Sequence, residues 1–509
     1  MRQIRSNQNR RILTMKCSHL IIVATLLGSH SILSAAENQK FNVVFIISDD
    51  LGAQSLGCYG NSQCKTPNID ALAKRGIRFT RTYCQFPVCG PSRAALMSGM
   101  YAQSIGVMGN GMARRFTKNL GKRPSMAQNF LIQGYHTARV SKIYHMRVPG
   151  DITAGVNGPD HAPSWNERYN CKAPEWFTEG EHEHLTNNKL KFDRNKHYGL
   201  GFGTAFYVVK GSSDGAEQAD HIAAAKAIEL IDKFKNNDKP FFLAVGLVRP
   251  HVPLVAPAKF FTPYPALQMI LPKQVEGDWD DIPKRGISKN SKRSGLNTQL
   301  KKKKVLQAYY AAVTYMDAQV GKIIRAVEQS GLRKKTIIVF TADHGYHLGE
   351  HEFWQKMSLH DESTRIPLIV SVPGKTPAVT PALSQQIDIY PTLSELCGLN
   401  IPPHVQGKSL VKAMNTPTHR VHESVYCLRG RNDHLLRTNR WAFIRYRTGD
   451  VELYDMQNDP KQFTNLARKK EYTKTVEELQ KLLDRKLSNI QQSKSSLISG
   501  THAVRINRR

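Results

Sequence analysis

Continuous apolar runs alternate with segments of helical periodicity between about residues 41 and 404. Runs with so few polar positions are typical of strands that are buried on both faces of a sheet. They predict strands at 41–48, 136–143, 240–248, 336–343 and 366–372. Apolar positions three and four residues apart predict helices at 67–76, 218–235 and 304–329. Strands that alternate with helices favour a mainly parallel sheet with helices on both faces.

The pattern changes after about residue 405. Short strand signals separated by turns follow one another in SVYCLRG, HLLRT, WAFIRYR and VELYDM. A helix is predicted at about 472–490. These signals predict a small antiparallel sheet with a helix. The predicted organisation is therefore an N-terminal domain over 37–404 and a smaller C-terminal subdomain over 405–509.

Residues 1–36 have the composition of a secretory signal peptide. Five basic residues and no acidic residue precede or flank the apolar run LIIVATLLG, and Ser34, Ala35 and Ala36 offer small side chains for cleavage. The run is too short for a good membrane span, and no other long apolar segment occurs. The expectation is an exported protein, periplasmic or secreted, without a membrane span.

The chain is strongly basic. Lys and Arg number 72 against 41 Asp and Glu, a net charge of +31. Such an excess favours an anionic partner. Export and the lack of a nucleic-acid-binding motif argue against nucleic acid, whereas a sulfated polysaccharide fits; a role in solubility alone stays open. The Lys- and Gly-rich stretch within 273–304 is expected to be an exposed, mobile insertion.

Acidic and basic side chains follow several of the predicted strands directly. Asp49 and Asp50 end the first strand, Asp343 and His344 follow the strand at 336–343, and Arg249 and His251 follow the strand at 240–248. In parallel sheets, ligands bind beyond the carboxyl ends of the strands. Three carboxylates with few soft ligands suit a hard divalent cation, calcium in preference to magnesium. Single Asp residues at such positions are also common as helix caps or turn residues.

Cys89 begins the run CGPSRAALMSGM, in which a helix is predicted to start at Pro91. Residue 89 therefore lies near a helix N-terminus, where free backbone amides favour an anion such as sulfate. The chain has eight cysteines. Some of the others could form disulfides in an exported protein, but the pairing cannot be derived from sequence.

These motifs resemble those of a known enzyme family. Cys-x-Pro-Ser-Arg at 89–93 resembles the signature of type I sulfatases. The segment 340–374, with DHGYHLGEHEFWQK, is similar to the iduronate-2-sulfatase branch. VSKIYH (140–145) resembles a Gly-Lys-x-x-His element with Ser141 in place of glycine, and VRPHVPL (248–254) a Lys-Pro-His element with Arg249 in place of lysine. Residues 439–467 match the usual C-terminal segment, so the resemblance covers about 41–467.

The resemblance implies an alkaline-phosphatase-like α/β/α sandwich and a defined set of site residues. A maturation enzyme would oxidise Cys89 to formylglycine, whose hydrate is the nucleophile and a metal ligand. The calcium ligands would be Asp49, Asp50, Asp343 and His344, together with residue 89. The remaining roles are stabilisation of the hydrate by Arg93 and Lys142, general base catalysis by His145, and sulfate binding by His251 and Lys356. One of the last two would protonate the leaving alcohol, and lowered pKa values are expected for cationic groups at this site.

The sequence thus predicts an exported sulfatase that hydrolyses sulfate esters of a sulfated carbohydrate. The iduronate-2-sulfatase likeness favours 2-O-sulfated uronate in a polysaccharide, and another sulfated glycan remains open. One alternative is a phosphonate monoester or phosphodiester hydrolase with the same nucleophile. The other is a non-catalytic protein that binds sulfated glycan through its charge and keeps Cys89 unmodified.

Overall fold

Nineteen strands are found in the computed structural model, which describes residues 40–193 and 198–503. In chain order they are β1 (Asn42–Asp49), β2 (Ile77–Tyr83), β3 (His136–Ser141), β4 (Glu167–Tyr169), β5 (Gly180–His184), β6 (Lys191–Asp193), β7 (Tyr198–Leu200), β8 (Tyr207–Gly211), β9 (Phe241–Pro250), β10 (Leu254–Pro257), β11 (Thr336–Ala342), β12 (His347–Leu348), β13 (Trp354–Gln355), β14 (Arg365–Ser371), β15 (Ala378–Gln385), β16 (Ser424–Arg429), β17 (Asp433–Thr438), β18 (Trp441–Arg445) and β19 (Val451–Asp455). The predicted signal peptide, residues 1–36, lies outside the described residues.

Thirteen α-helices join these strands within the described residues. They are α1 (Pro67–Lys74), α2 (Cys89–Ser98), α3 (Ala102–Ile105), α4 (Phe116–Leu120), α5 (Met126–Ile132), α6 (Gly150–Ala154), α7 (Ala219–Phe234), α8 (Ser291–Ser294), α9 (Gln299–Gln329), α10 (Asp361–Thr364), α11 (Ile389–Leu396), α12 (Val411–Asn415) and α13 (Thr473–Ala503). The part of the chain that the structure describes contains no helix long and apolar enough to cross a membrane.

An eight-stranded sheet organises the fold, in the order β15-β2-β14-β11-β1-β9-β3-β4. All its strands run in one direction except β14, which is antiparallel to both β11 and β2. The prediction of a mainly parallel sheet is confirmed. Every residue of β1, β9 and β11 is buried, which explains their continuous apolar sequences.

Helices cover both faces of this sheet. Side chains alternate between the faces of a strand, so neighbours in β9 point to opposite sides. Leu243 shares a core with Ala223 and Ala227 of α7, and α9 packs on α7. Phe242 instead packs against Phe130 of α5, with ring centroids 4.7 Å apart. The predicted α/β/α sandwich is therefore confirmed.

The C-terminal part forms a separate antiparallel sheet in the order β16-β17-β18-β19. Leu436 of β17 and Phe443 of β18 pack in one core with Leu483 of α13. This confirms the predicted small sheet and terminal helix, and α13 continues beyond the predicted end at 490. The domain boundaries at residues 37 and 405 remain predictions.

The Lys-rich stretch within 273–304, expected to be an exposed insertion, makes specific contacts with the rest of the fold. It contains α8, and the Asn290 side chain caps that helix by accepting from the Arg293 amide. Lys302 pairs with Glu352 at 2.7 Å and Lys304 with Glu183 at 2.6 Å. Ion pairs thus connect the segment to the loop that follows β12 and to β5.

Candidate active site

Three buried carboxylates converge at the carboxyl edge of the sheet. Asp49 ends β1, Asp50 follows it, and Asp343 follows β11, which pairs with β1. Consecutive side chains of a regular strand point to opposite faces. Asp50 breaks this alternation because its backbone is left-handed, with φ of 63°, and its amide donates to Asp343 Oδ1 at 3.1 Å. Carboxylate oxygens of all three lie within 4.8 Å of one another.

Cys89 is the first residue of α2, which is buried along its whole length. Its Sγ lies 3.3 Å from His344 Nε2, 3.4 Å from Lys356 Nζ and 3.7 Å from Asp50 Oδ1. Burial and then the charge of Asp49 raise the pKa of the Cys89 thiol well above its ordinary value. As encoded, the side chain is therefore a neutral thiol at the meeting point of the acidic and basic groups.

Arg93 lies one turn after Cys89 on α2 and connects three strands. Its Nε donates to Asp343 Oδ2 at 2.9 Å and its Nη2 to Asp49 Oδ1 at 3.2 Å. Its Nη1 donates to the carbonyl oxygens of Lys142 and Ile143 beyond β3. The planar guanidinium thus fixes the relative positions of two carboxylates and the loop that carries Lys142.

Two lysines neutralise the first two carboxylates. Lys142 Nζ donates to Asp49 Oδ2, and Lys356 Nζ donates to both oxygens of Asp50, at 2.6 and 2.8 Å. Burial would raise the pKa of Asp49, but the charges of Lys142, His251 and Arg93 hold that pKa well below its ordinary value.

Lys356 differs from the expectation of lowered pKa values for the cationic groups. Burial is the largest single effect and lowers the pKa of its ammonium, but the charges around it, that of Asp50 first, together outweigh burial, so this pKa is raised. The expectation holds for His251, whose pKa falls to about 4, and for His145; burial is the largest cause in both. Its two contacts with Asp50 make Lys356 the counter-charge of that carboxylate.

His344 and His251 both present Nε2 to Asp50, whereas His145 leaves its Nδ1 without a partner among the described residues. His344 Nδ1 donates to Gly345 O at 2.9 Å, which leaves Nε2 as the acceptor, 3.2 Å from Asp50 Oδ1. His251 Nδ1 donates to Val252 O at 2.5 Å, and its Nε2 lies 3.7 Å from Asp50 Oδ2. His145 is buried, and its Nδ1 has no hydrogen-bond partner among the described residues.

The donor set fits a hard divalent cation. The described residues offer three overlapping ligand groups: Asp49 with Asp50 and Asp343, Asp50 with Cys89 and His344, and Asp49 with Cys89 and His251. Carboxylate oxygens predominate, as calcium and magnesium sites require. The sequence-predicted ligands Asp49, Asp50, Cys89, Asp343 and His344 are all brought together.

Comparison with known proteins shows which family the chain belongs to. The Sulfatase family model matches residues 41–399, and the model of the N-sulphoglucosamine sulphohydrolase C-terminal region matches 349–490. The chain belongs to the sulfatase family. It is therefore a sulfuric ester hydrolase, and the predicted type I sulfatase resemblance is confirmed.

Two curated relatives illustrate the extent of the match. A sulfatase of Formosa agariphila is 31% identical over 460 residues, covering 88% of this chain and 87% of the relative. Human iduronate 2-sulfatase is 30% identical over 445 residues, covering 77% of this chain and 76% of the relative. Each match covers more than three quarters of this chain.

Solved structures share the fold at lower identity. A 2-O GAG sulfatase has a TM-score of 0.67 at 21% identity and covers 90% of this chain and 94% of its own. The phosphonate monoester hydrolase of Agrobacterium radiobacter has a TM-score of 0.69 at 21% identity, with coverage of 89% and 96%. The sandwich of this sulfatase is therefore shared with hydrolases of sulfate and of phosphonate esters.

Arg249 was expected among the polar groups at the sheet edge, but its side chain is buried and contacts Glu175 and the backbone next to His251. Its Nη2 donates to Glu175 Oε1 at 2.5 Å, and its Nη1 donates to His251 O at 2.7 Å and Pro253 O at 2.8 Å. Asp220 of α7 accepts from the Arg249 amide at 3.1 Å. This buried network sets the backbone path on both sides of His251.

Breaking this network should destabilise the sulfatase. We expect Glu175→Ala to lower the free energy of unfolding by about 3 kcal/mol, because it leaves the buried Arg249 charge without its partner. Turnover should fall as well, since the backbone at His251 loses its anchor. Glu181→Ala removes an exposed pair with Lys210 and should cost less than about 1 kcal/mol. Thermal and urea unfolding compare the two variants, and equal stabilities would contradict the assignment.

Two backbone features near Lys142 were not apparent from sequence. Ser141, which replaces the glycine of the family element, is left-handed with φ of 59°, the conformation that favours glycine. On the neighbouring strand, a β carbon at Gly246 would lie 2.0 Å from Lys142 O. Gly246 therefore permits the close approach that positions the Lys142 backbone between β9 and Arg93.

Proposed function

We propose that this sulfatase hydrolyses sulfate esters of an anionic carbohydrate, with 2-O-sulfated uronate in a polysaccharide as the first candidate. The observation that carries the proposal is the convergence of Cys89 Sγ with His344, Lys356 and Asp50, all within 3.7 Å. Similarity to human iduronate 2-sulfatase supports the substrate class. The net charge of +31 suits a polyanion. The composition of residues 1–36 supports export to the periplasm or beyond the cell.

Formylglycine at position 89, made by a maturation enzyme, is part of this proposal. Cys-x-Pro-Ser-Arg at 89–93 supports it, as does the position of residue 89 at the start of α2. A hydrated aldehyde there supplies one hydroxyl to attack sulfur and a second to expel sulfate afterwards. Arg93 and Lys142 hold Asp343 and Asp49 in place around that side chain.

Calcium is the cation proposed for the carboxylate cluster. Asp49, Asp50, Asp343 and His344 would hold it together with residue 89, and it would polarise the sulfate oxygens. The buried His145 imidazole, with a free Nδ1 and a lowered pKa, can accept a proton near neutral pH.

Lys356 and His251 are proposed to bind the sulfate, and one of them to protonate the leaving alcohol. We expect Lys356→Ala to reduce kcat on a sulfated sugar by about 10²- to 10⁴-fold, the range of general acid catalysis. If Lys356 is the acid, the loss on 4-nitrophenyl sulfate should be much smaller, because nitrophenolate leaves without a proton. His251→Ala, assayed on the same two substrates, assigns the role. A large loss of melting temperature in Lys356→Ala with unchanged turnover would show a structural role instead.

The proposed substrate is tested by sulfate release from defined sulfated oligosaccharides after co-expression with a maturation enzyme. The panel contains 2-O-sulfated uronate, N- and 6-O-sulfated glucosamine, sulfated galactose and sulfated fucose. Release from the uronate supports the first candidate, whereas release from another sugar alone replaces it. Mass spectrometry of the peptide containing residue 89 shows whether the preparation carries formylglycine.

The phosphonate monoester hydrolases are a second candidate class, favoured by the shared fold with the Agrobacterium radiobacter enzyme. Phenyl sulfate and phenyl phosphonate monoesters compared at matched leaving groups separate the two activities. A higher kcat/KM on the phosphonate would favour this class. The sequence also left open a non-catalytic protein that binds sulfated glycan. Membership in a family of sulfuric ester hydrolases argues against that alternative.

A further inference from the structure

Lys289 is an exposed lysine beside the proposed sulfate-binding site. It lies in the Lys-rich segment before α8, and its Nζ donates to Gln355 Oε1 at 2.7 Å. Lys356, which follows Gln355 in the chain, donates to Asp50. No ion pair is found for Lys289 among the residues that the structure describes. Since an ammonium has three donors, this neutral amide leaves most of its hydrogen-bonding capacity unused.

The backbone fixes the position of Lys289 relative to Lys356. Lys289 O accepts from the Trp354 amide at 2.9 Å, and Asn290 forms an antiparallel bridge with Phe353. Gln355 has a left-handed backbone, with φ of 69°, and its Nε2 donates to Thr204 O at 2.7 Å. Its amide oxygen is thereby oriented toward Lys289, and its neighbour Lys356 enters the site.

The two ammonium groups are close enough to affect each other. The protein atoms that surround its Nζ, and then the charge of Lys356, lower the pKa of Lys289, although the residue remains accessible to solvent. Lys356 contacts the carboxylate of Asp50, whereas the charge of Asp50 acts on Lys289 without forming an ion pair with it among the described residues. Like charges held near one another favour an anion that contacts both. The side chain of Lys292, three residues later, is exposed and has no hydrogen bond or ion pair among the described residues, so such an arrangement is not general to the basic segment.

We infer that Lys289 is a specificity-determining residue that binds a second anionic group of the substrate, a carboxylate or sulfate next to the sulfate ester that is cleaved. The inference rests on the proposed function, because it presumes a carbohydrate with two anionic groups. A charged hydrogen bond contributes about 1.5 to 3 kcal/mol. Its loss corresponds to about 10- to 100-fold in kcat/KM at 1.4 kcal/mol for each factor of ten.

Lys289→Ala tests the inference, with Lys289→Arg as the conservative variant and Lys292→Ala as the matched control. The substrates are 2-O-sulfated uronate and its carboxyl-reduced counterpart, 6-O-sulfated glucosamine with and without an N-sulfate, and 4-nitrophenyl sulfate. Lys289→Ala should raise KM on one of the doubly charged sugars by about 10- to 100-fold, with kcat little changed. It should alter 4-nitrophenyl sulfate and the singly charged sugars by less than about two-fold, and Lys289→Arg should recover part of the loss.

The pattern of losses identifies the anion. A loss confined to the uronate assigns a carboxylate, and a loss confined to the N-sulfated sugar assigns a second sulfate. Equal losses on singly and doubly charged substrates, or no loss on any doubly charged one, would overturn the inference.

A binding measurement separates this inference from the proposed function. Calorimetry with the Cys89→Ala protein compares the affinities for each doubly charged sugar and its singly charged counterpart, without and with Lys289→Ala. We expect a preference for one doubly charged sugar that disappears in the double variant. Absence of any preference overturns the inference, even if turnover is normal. A preference that depends on Lys289 supports it, even if the matured enzyme fails to release sulfate, which would contradict the proposed function alone.

Discussion

Replacement of Cys89 by Ala should abolish sulfate release, with a loss of at least about 10⁴-fold, because the proposed nucleophile is removed. The fold should persist, since the change deletes one Sγ at the start of α2 and leaves the bonds of Arg93 to Asp49 and Asp343 intact. Cys89→Ser should behave in the same way, because a single hydroxyl cannot both attack sulfur and expel sulfate. Ion chromatography of released sulfate and the melting temperature provide the two readouts.

Cys397→Ala is the matched control for this experiment. Cys397 is also a buried cysteine, but it follows α11, and its side chain interacts with Tyr135 rather than with the carboxylate cluster. We expect its variant to retain turnover in a matured preparation. Normal turnover in Cys89→Ala would contradict the nucleophile assignment. A loss of turnover in both variants, together with lowered melting temperatures, would indicate general damage to packing.

Removal of the divalent cation proposed for the carboxylate cluster should have the second largest effect. A metal ion that polarises sulfate oxygens stabilises the transition state by several kcal/mol, so chelation should reduce turnover by about 10³-fold. Chelation should also lower the melting temperature, because an ion that binds only the folded chain stabilises it, by about 2.7 kcal/mol at one hundred times its Kd. Activity and thermal unfolding measured after dialysis against a chelator provide the readouts.

Back-titration distinguishes the cations. Calcium should restore turnover and melting temperature at lower concentrations than magnesium, because the cluster of Asp49, Asp50 and Asp343 offers many oxygen ligands. In Asp343→Asn the response to calcium should be weakened. Full turnover in a preparation shown by elemental analysis to contain no divalent cation would refute the assignment.

The strands at the centre of the sheet were predictable because each is buried on both faces. The apolar runs that became β1, β9 and β11 have no polar face, so their burial could be derived from composition alone. The direction of β14 could not be derived in this way. Burial in mid-sheet demands the same apolar run from a parallel and an antiparallel strand, and direction depends on the path of the connecting chain.

The candidate site also contains residues that were predictable from sequence and residues that were not. Asp49 and Asp343 were predictable because carboxyl ends of neighbouring parallel strands meet. The partner of Arg249 was not, since Glu175 lies 74 residues away and has no local sequence signal. Lys289 stood in a run of charges that sequence alone assigns to solvent, and only the bridge between Asn290 and Phe353 places it beside Lys356.

The burial of Cys89 limits the time at which this residue can be modified. Cys89, Pro91 and Arg93 are all buried within α2, so an enzyme that reads these residues needs the chain before α2 has packed. If residue 89 is oxidised as proposed, modification and folding compete for the same nascent polypeptide. A chain that folds first is a permanently inactive copy, which later addition of the maturation enzyme would not rescue. The specific activity of a preparation would then depend on the ratio of the rate of modification to the rate of folding. Slower folding during synthesis would raise the specific activity.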